Sequence, residues 1–197
     1  MKEEIAKNSV KLFEQKGFTE TSIQDIVDSL GVTKGTFYYY YTSKENLLME
    51  IHLHYIDDLL KKQKTILESV KSFRGKLVEI VKLIIHDIEL HGAHGRVYFR
   101  EIRNLTPEHN KTIKGKREEF RVNVMQVITK GIQSGEFRKN LHPKMISFAV
   151  LGVTNWSYHW FQPCGKLTVK ELADMYVDFI LNGIIAERDE RDEYSTN

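Results

Sequence analysis

TSIQDIVDSLGVTKGTFYYYYTSKENLL, residues Thr21–Leu48, decides how the whole chain is read. Thr21 stands as a candidate N-cap with Gln24 three residues on, followed by Ile23, Ile26, Val27 and Leu30 at helical spacing. Gly31 comes where a helix end needs a left-handed residue. Val32 is placed to plug the corner, and Thr33 to cap a second, short helix from Lys34 to about Tyr40. That helix carries Lys, Gly, Thr and consecutive tyrosines, too polar for a core. Small residues at its start allow close approach to DNA, with hydroxyls and amides offered to phosphates and base edges. Thr42 with Glu45 then reads as the cap of a third helix. The pattern predicts a helix–turn–helix.

The run GVTKGTFYYYYTSKENLL also resembles the recognition helix and following turn of TetR-type transcriptional regulators. The likeness extends back through Gly17 and Phe18 and covers about residues 2–51, with Tyr41 where the family more often has phenylalanine. It implies an all-α chain with a three-helix DNA-binding domain over 1–48 and a helical effector-binding and dimerisation domain over 49–197. It further implies that Thr33, Lys34, Gly35, Thr36, Tyr38, Tyr39, Tyr40 and Lys44 line the DNA side. Lys44 and Tyr38 are expected on phosphate, and Thr33, Lys34 and Tyr39 on base edges. Gln24 is a further candidate, although capping competes for its side chain. Phe37 and Tyr41 are expected in the core.

Composition supplies bounds. The 197 residues are 41% hydrophobic and 28% charged, ordinary for a globular protein with a substantial core. Net charge is only +2, and residues 1–48 carry six lysines against seven acids, so no broad basic footprint marks a nucleic-acid partner. DNA binding is then expected to rest on few phosphate contacts. The single Cys164 excludes an internal disulfide and a cysteine metal cluster. The charged start MKEEIAKNS does not read as a secretory leader, and no apolar run approaches a membrane span, so a cytoplasmic protein is expected.

The rest of the chain reads as helices. A first one covers about 2–16, closed by Gly17, and a long one runs from Ser43 to about Val70, the natural lever behind the reading head. Ser72 and Gly75 mark a break, then Leu77, Ile80, Val81, Ile84 and Ile88 give a stripe over 76–91. His91 falls on that stripe, either as a satisfied core residue or as an effector contact. His91, Gly92, His94 and Gly95 read as a break between helices; their spacing lacks an ordered zinc-ligand set, so no metal is expected. RVYFREIRNL, residues 96–105, reads as a short helix. Its arginines are either solvated or meet an anionic effector group, with Arg103 the candidate. Thr106-Pro107-Glu108 opens a helix to about Ser134, and Pro143 one to Phe161 that is apolar almost all round in its first half. Thr168 with Glu171 caps the last, and the Glu187–Glu193 charge run reads as a solvated end.

Trp156, Trp160 and Phe161, with His91, Tyr98, Phe99 and Phe120, are the candidates for an apolar effector cavity; the tryptophans serve equally as packing at a dimer seam of two helix pairs. The C-terminal part is similar, less specifically, to TetR-type members that answer acyl-CoA thioesters, implying such an effector or another lipid-like molecule. No phosphate-binding glycine loop, catalytic triad or cofactor motif is present, so neither an enzyme nor a cofactor is expected. The reading is a ligand-responsive repressor that binds a palindromic operator as a homodimer, with no membrane partner. Two alternatives stay open: a drug-sensing regulator of an efflux pump, and a helical protein-interaction module.

Overall fold

In the computed structural model, residues 1–183 are described; the acidic–basic run at 187–193 lies outside them. Eight α-helices and one 3₁₀ turn make up the described chain, with no strand among these residues. Helix α1 (Lys2–Lys16), α2 (Ile23–Asp28) and α3 (Lys34–Tyr40) form the N-terminal head. Helix α4 (Lys44–Ser69) leaves it, followed by α5 (Phe73–Glu101), α6 (Pro107–Gln133), α7 (Pro143–Trp160) and α8 (Val169–Asn182).

The head closes around Ile5, Phe13, Ile26, Phe37 and Leu47, all fully buried. Gly17 ends α1 at φ 89°, and Gly31 turns the chain between α2 and α3 at φ 65°, where only glycine is unstrained. Two expected caps move by one residue. Ser22, not Thr21, caps α2 in a reciprocal box with Asp25, because the buried Thr21 hydroxyl donates inward to the Gly17 carbonyl at 2.7 Å. Gln24 is therefore free of capping and donates to Asp28 instead. Ser43, not Thr42, caps α4 by accepting from the Asn46 N–H. Thr33 caps α3 as expected.

Helix α4 spans 26 residues, about 39 Å at 1.5 Å per residue, and belongs to both halves of the molecule. Leu47 and Leu48 sit in the head core, whereas Tyr55, Ile56 and Leu59 face the helices behind. Helix α5 is the central pillar, packed against α1, α4, α6, α7 and α8. The expected break at His91–Gly95 is a kink only: His91 adopts φ −134° and ψ 23°, and α5 continues to Glu101. Its glycines serve packing rather than termination. A Cβ on Gly95 would stand 2.2 Å from the ring of Tyr158, so glycine alone lets α7 lay that buried tyrosine across α5. Gln63 ties α4 to α6, donating to the Phe120 carbonyl at 3.0 Å and accepting from Asn123 at 2.8 Å.

Among the described residues no helix is long and apolar enough to cross a membrane, and no group of three metal-binding side chains comes together. The apolar first half of α7 is not covered on every side. Met145, Phe148, Trp156 and Trp160, with Met175 and Phe179 of α8, remain between 46% and 64% exposed.

Two outcomes test this packing. Gly95→Ala is expected to lower unfolding stability by about 1–3 kcal/mol in urea titrations, the scale of overpacking. His52, fully buried on α4 with its ring 5.1 Å from that of Tyr98, has no hydrogen-bond partner on either nitrogen. Burial pushes its pKa from 6.5 down to about 4; the Leu48 and Tyr98 carbonyls oppose the fall without completing a bond of good geometry. The folded state thus excludes a proton that the unfolded chain accepts. This contribution is complete above pH 6.5 and lost as pH falls toward 4. Between pH 7 and pH 5 the loss is about 2 kcal/mol, and His52→Gln should remove it from the urea-melt difference.

Candidate functional site

Two sites arise from this architecture. The first is the outer face of α3. Phe37 and Tyr41, four residues apart, point into the head, and the Tyr41 hydroxyl donates to the Lys2 carbonyl. Burial raises the Tyr41 pKa to about 12, so it stays a donor. The same register leaves Thr33, Lys34, Gly35, Tyr38 and Tyr39 outside, with Tyr39 80% exposed. Thr36 is half-buried, its hydroxyl 3.2 Å from that of Thr33. Tyr40 is half-buried too and stands edge-on to Tyr39 at 4.8 Å. Gln24 is exposed on α2. Hydroxyls, one ammonium and a Cβ-free position thus share one outer surface, suited to phosphate oxygens and base edges.

Lys44 does not join them. Its ammonium donates to the carbonyls of Thr21 at 2.5 Å and Phe18 at 2.7 Å, approaches that of Thr19 at 3.4 Å, and lies 4.4 Å from the Phe18 ring centroid. All three donors are occupied by the turn between α1 and α2. Burial lowers its pKa, against the opposing pull of Glu20 and Asp25. The ammonium expected on phosphate is held by these carbonyls in the structure.

The second site is a cavity of about 670 Å³ bounded by α4, α5, α6 and α7. Tyr98, Phe99, Phe120 and Trp156 line it as expected, joined by Tyr55, Phe148 and Tyr158. His91, Arg103, Trp160 and Phe161 do not. His91 instead pairs through Nδ1 with Asp87 at 2.9 Å. Arg103 is exposed in the 3₁₀ turn Ile102–Asn104. Trp160 lies on the open face of α7, and Phe161 is buried at its end, beyond the cavity wall.

The floor is a hydrogen-bonded knot. Tyr55 of α4 and Tyr158 of α7 both donate to Oδ2 of Asp87 at 2.9 Å, their hydroxyls 2.8 Å apart. Burial and the neighbouring carboxylate raise both phenol pKa values, so both remain protonated donors. The charged side chains of the walls are mostly basic: Lys114, Arg117 and Arg121. Arg121 pairs with Glu118, the one acid in the lining, and also donates to Ser147. Lys116 is paired with Asp57. Arg117, by contrast, has no carboxylate partner among the described residues; its guanidinium lies 5.6 Å from the Phe99 ring and 5.9 Å from that of Tyr98. These cations fell outside the sequence reading, which drew only Phe120 from this helix. The usable signal was a basic cluster, GKR at 115–117, one turn before Phe120 on the same helix.

Two arginines of RVYFREIRNL have a third role. Arg96 binds the Glu14 carboxylate through Nε at 2.6 Å, and Arg100 donates to the Phe13 and Glu14 carbonyls at the end of α1. The post-kink half of α5 therefore presents Tyr98 and Phe99 to the cavity and grips the head with the arginines on either side of them.

Comparison with known proteins agrees with both halves. Residues 5–51 match the family model of bacterial regulatory proteins of the tetR family, and residues 71–184 that of the tetracyclin repressor-like C-terminal domain. The HTH-type transcriptional repressor KstR2 of Rhodococcus jostii (strain RHA1) is 28% identical over 183 residues, covering 92% of this chain and 89% of that protein. The solved structure of the ketosteroid transcriptional regulator KstR2 of Mycobacterium tuberculosis superposes with TM-score 0.86 at 25% identity, over 94% of this chain and 95% of that one. AibR, solved with isovaleryl coenzyme A and operator DNA, shares the fold at TM-score 0.84 and 23% identity, over 91% and 97% of the two chains. The chain belongs to the TetR family of bacterial transcriptional regulators, which are DNA-binding proteins and not enzymes.

Proposed function

We propose that this regulator is a repressor that reads a palindromic operator as a homodimer in the cytoplasm and is controlled by an amphipathic anion held in the α4–α7 cavity. One short recognition helix reads few base pairs; two copies, about 34 Å apart, reach successive major grooves. The uncovered apolar face of α7 and α8 supports pairing through a four-helix seam. The reading head is assigned to residues 1–48 and the effector and dimerisation part to 49–197, with α4 crossing the boundary. Thr33, Lys34, Gly35, Thr36, Tyr38, Tyr39 and Tyr40 form the operator face, joined by Gln24.

The observation that carries the effector reading is an aromatic cavity with Arg117 unpaired at its wall. A guanidinium beside aromatic rings, without a carboxylate, suits an anionic oxygen whose bearer is otherwise apolar. An acyl-CoA fits this description, with the acyl chain inside and phosphates toward the cations. AibR's ligand, in a protein of the same fold, is of that class. A cationic drug would meet Lys114, Arg117 and Arg121, with the one lining acid already bound to Arg121.

Calorimetry with a panel of acyl-CoAs, free fatty acids and planar cationic drugs tests the effector. Acyl-CoAs are expected to give heat, and Arg117→Ala to weaken binding by about tenfold or more, the scale of a charged hydrogen bond. Silence from every acyl-CoA removes this effector class. In gel shifts with an operator that the protein selects from random-sequence DNA, Tyr38→Ala and Tyr39→Ala should each weaken binding by about tenfold. Unchanged affinity in both variants would sink the assignment of the α3 face.

A further inference from the structure

Three tyrosines line the cavity, and their hydroxyls are not served alike. Those of Tyr55 and Tyr158 are bound by Asp87 in the knot at the floor. Tyr98 is only 2% exposed, and its hydroxyl has no hydrogen-bond partner. Against its ring stands His52, fully buried, the two ring centroids 5.1 Å apart and neither imidazole nitrogen bonded. Among the described residues five buried side-chain polar atoms lack a partner, and three of them belong to this one ring pair. The other two, on Ser9 of α1 and Asn110 of α6, sit on residues outside the cavity lining.

Packing gives no reason for polar atoms at this place. A phenylalanine at 98 and a leucine at 52 would fill the same apolar surroundings without stranding a donor or an acceptor. Burial keeps the His52 ring neutral at pH 7 and the Tyr98 phenol protonated, so the pair offers hydrogen bonds without charge. The charge on this wall belongs to Arg117, whose guanidinium lies 5.9 Å from the Tyr98 ring. An anionic group is drawn to Arg117, whereas the Tyr98 O–H suits an oxygen that carries no charge.

We infer that Tyr98, braced by His52, is a polar subsite within the effector cavity, and that the effector bears a neutral oxygen, as a ketone or hydroxyl group, on its apolar part. The inference rests on the effector reading above and narrows it: an oxygenated acyl group is preferred to a plain alkyl chain. The Tyr98 O–H donates to that oxygen. A plain chain would cover the same hydroxyl and leave it dry and unbonded, which is how a polar subsite rejects an analogue lacking the matching group. His52 lies outside the cavity lining and acts as a positioning residue, holding the plane of the phenol.

The experiment is calorimetry on the full chain with matched pairs. Octanoyl-CoA is compared with its oxo derivatives, the ketone placed near the thioester, in mid-chain or beside the terminal methyl, and the corresponding free acids are compared in the same way. At least one ketone position is expected to bind about tenfold or more tightly than the plain chain. Tyr98→Phe should bring that ratio close to one. In urea titration Tyr98→Phe should unfold at a midpoint no lower than the unaltered chain, because the hydroxyl it removes bonds nothing in the fold itself. A merely structural hydroxyl would lower the midpoint, and that result overturns the subsite. So does a ketone preference that survives Tyr98→Phe. Equal affinity within every pair, with heat throughout, overturns the subsite and leaves the anionic effector standing. Silence from every thioester, with a ketone preference among the free acids, removes the acyl-CoA class and upholds the subsite. Silence from all probes overturns both.

Discussion

A carboxylate buried as deeply as Asp87, with 1% of its side chain exposed, has to be surrounded by donors, because an unpaired charge in such a place costs far more than the fold has to spare. Four side chains meet that demand: Tyr55, Tyr158 and His91 at hydrogen-bond distance, and Lys62 at 4.0 Å. They come from α4, α5 and α7, so the requirement of one ion fixes the mutual placement of three helices. The same contacts shape the cavity, since two of the donors are its floor. His91 is also the residue at which α5 bends, so the direction taken by the second half of that helix depends on the same carboxylate.

Everything forward of the bend follows from that direction. The Gly92–Glu101 segment turns two aromatic rings to the cavity and two guanidinium groups to the end of α1. Such an element is sensitive to what fills the cavity and stiff toward what it holds. Helix α4 provides a parallel route, with its middle at the cavity and its first turn at the head. Two mechanical connections between the cavity and the N-terminal head are thus present.

Much of this was legible in the residues. Cap residues, glycine stops and 3.6-residue stripes located seven of the eight helices within a few positions and divided α5 in two, because their apolar faces point to one interior. The cap shifts at Thr21 and Thr42 have a simple cause: two hydroxyl residues stand side by side, and tertiary contacts choose between them. The bend at His91 was misread as a break because two glycines in five residues ordinarily end a helix. Gly95 is there to admit the Tyr158 ring, which no local pattern reveals. Aromatic wall residues were found by type, yet Trp160 and Phe161 belong to neighbouring surfaces of the same helix end. Charged residues were the hardest. Lys44 reads as a phosphate contact, Arg96 and Arg100 as solvated or effector-bound, and Arg117 carries no local signal; each acquires its place from a partner more than 20 residues away or from an apolar wall around it.

Families of this kind are often pictured as a reading head bolted to a sensor, the two exchangeable as cassettes. The contacts of Arg96 with Glu14, Arg100 with the last turn of α1, and Glu45 with the start of α6 argue otherwise. A head transplanted from another regulator would arrive without the carboxylate that Arg96 holds. It would also meet a lever whose first turn is shaped for a different neighbour. Specificity for an operator and response to an effector are therefore inherited together in this chain, and a working chimera has to carry the seam along with the head.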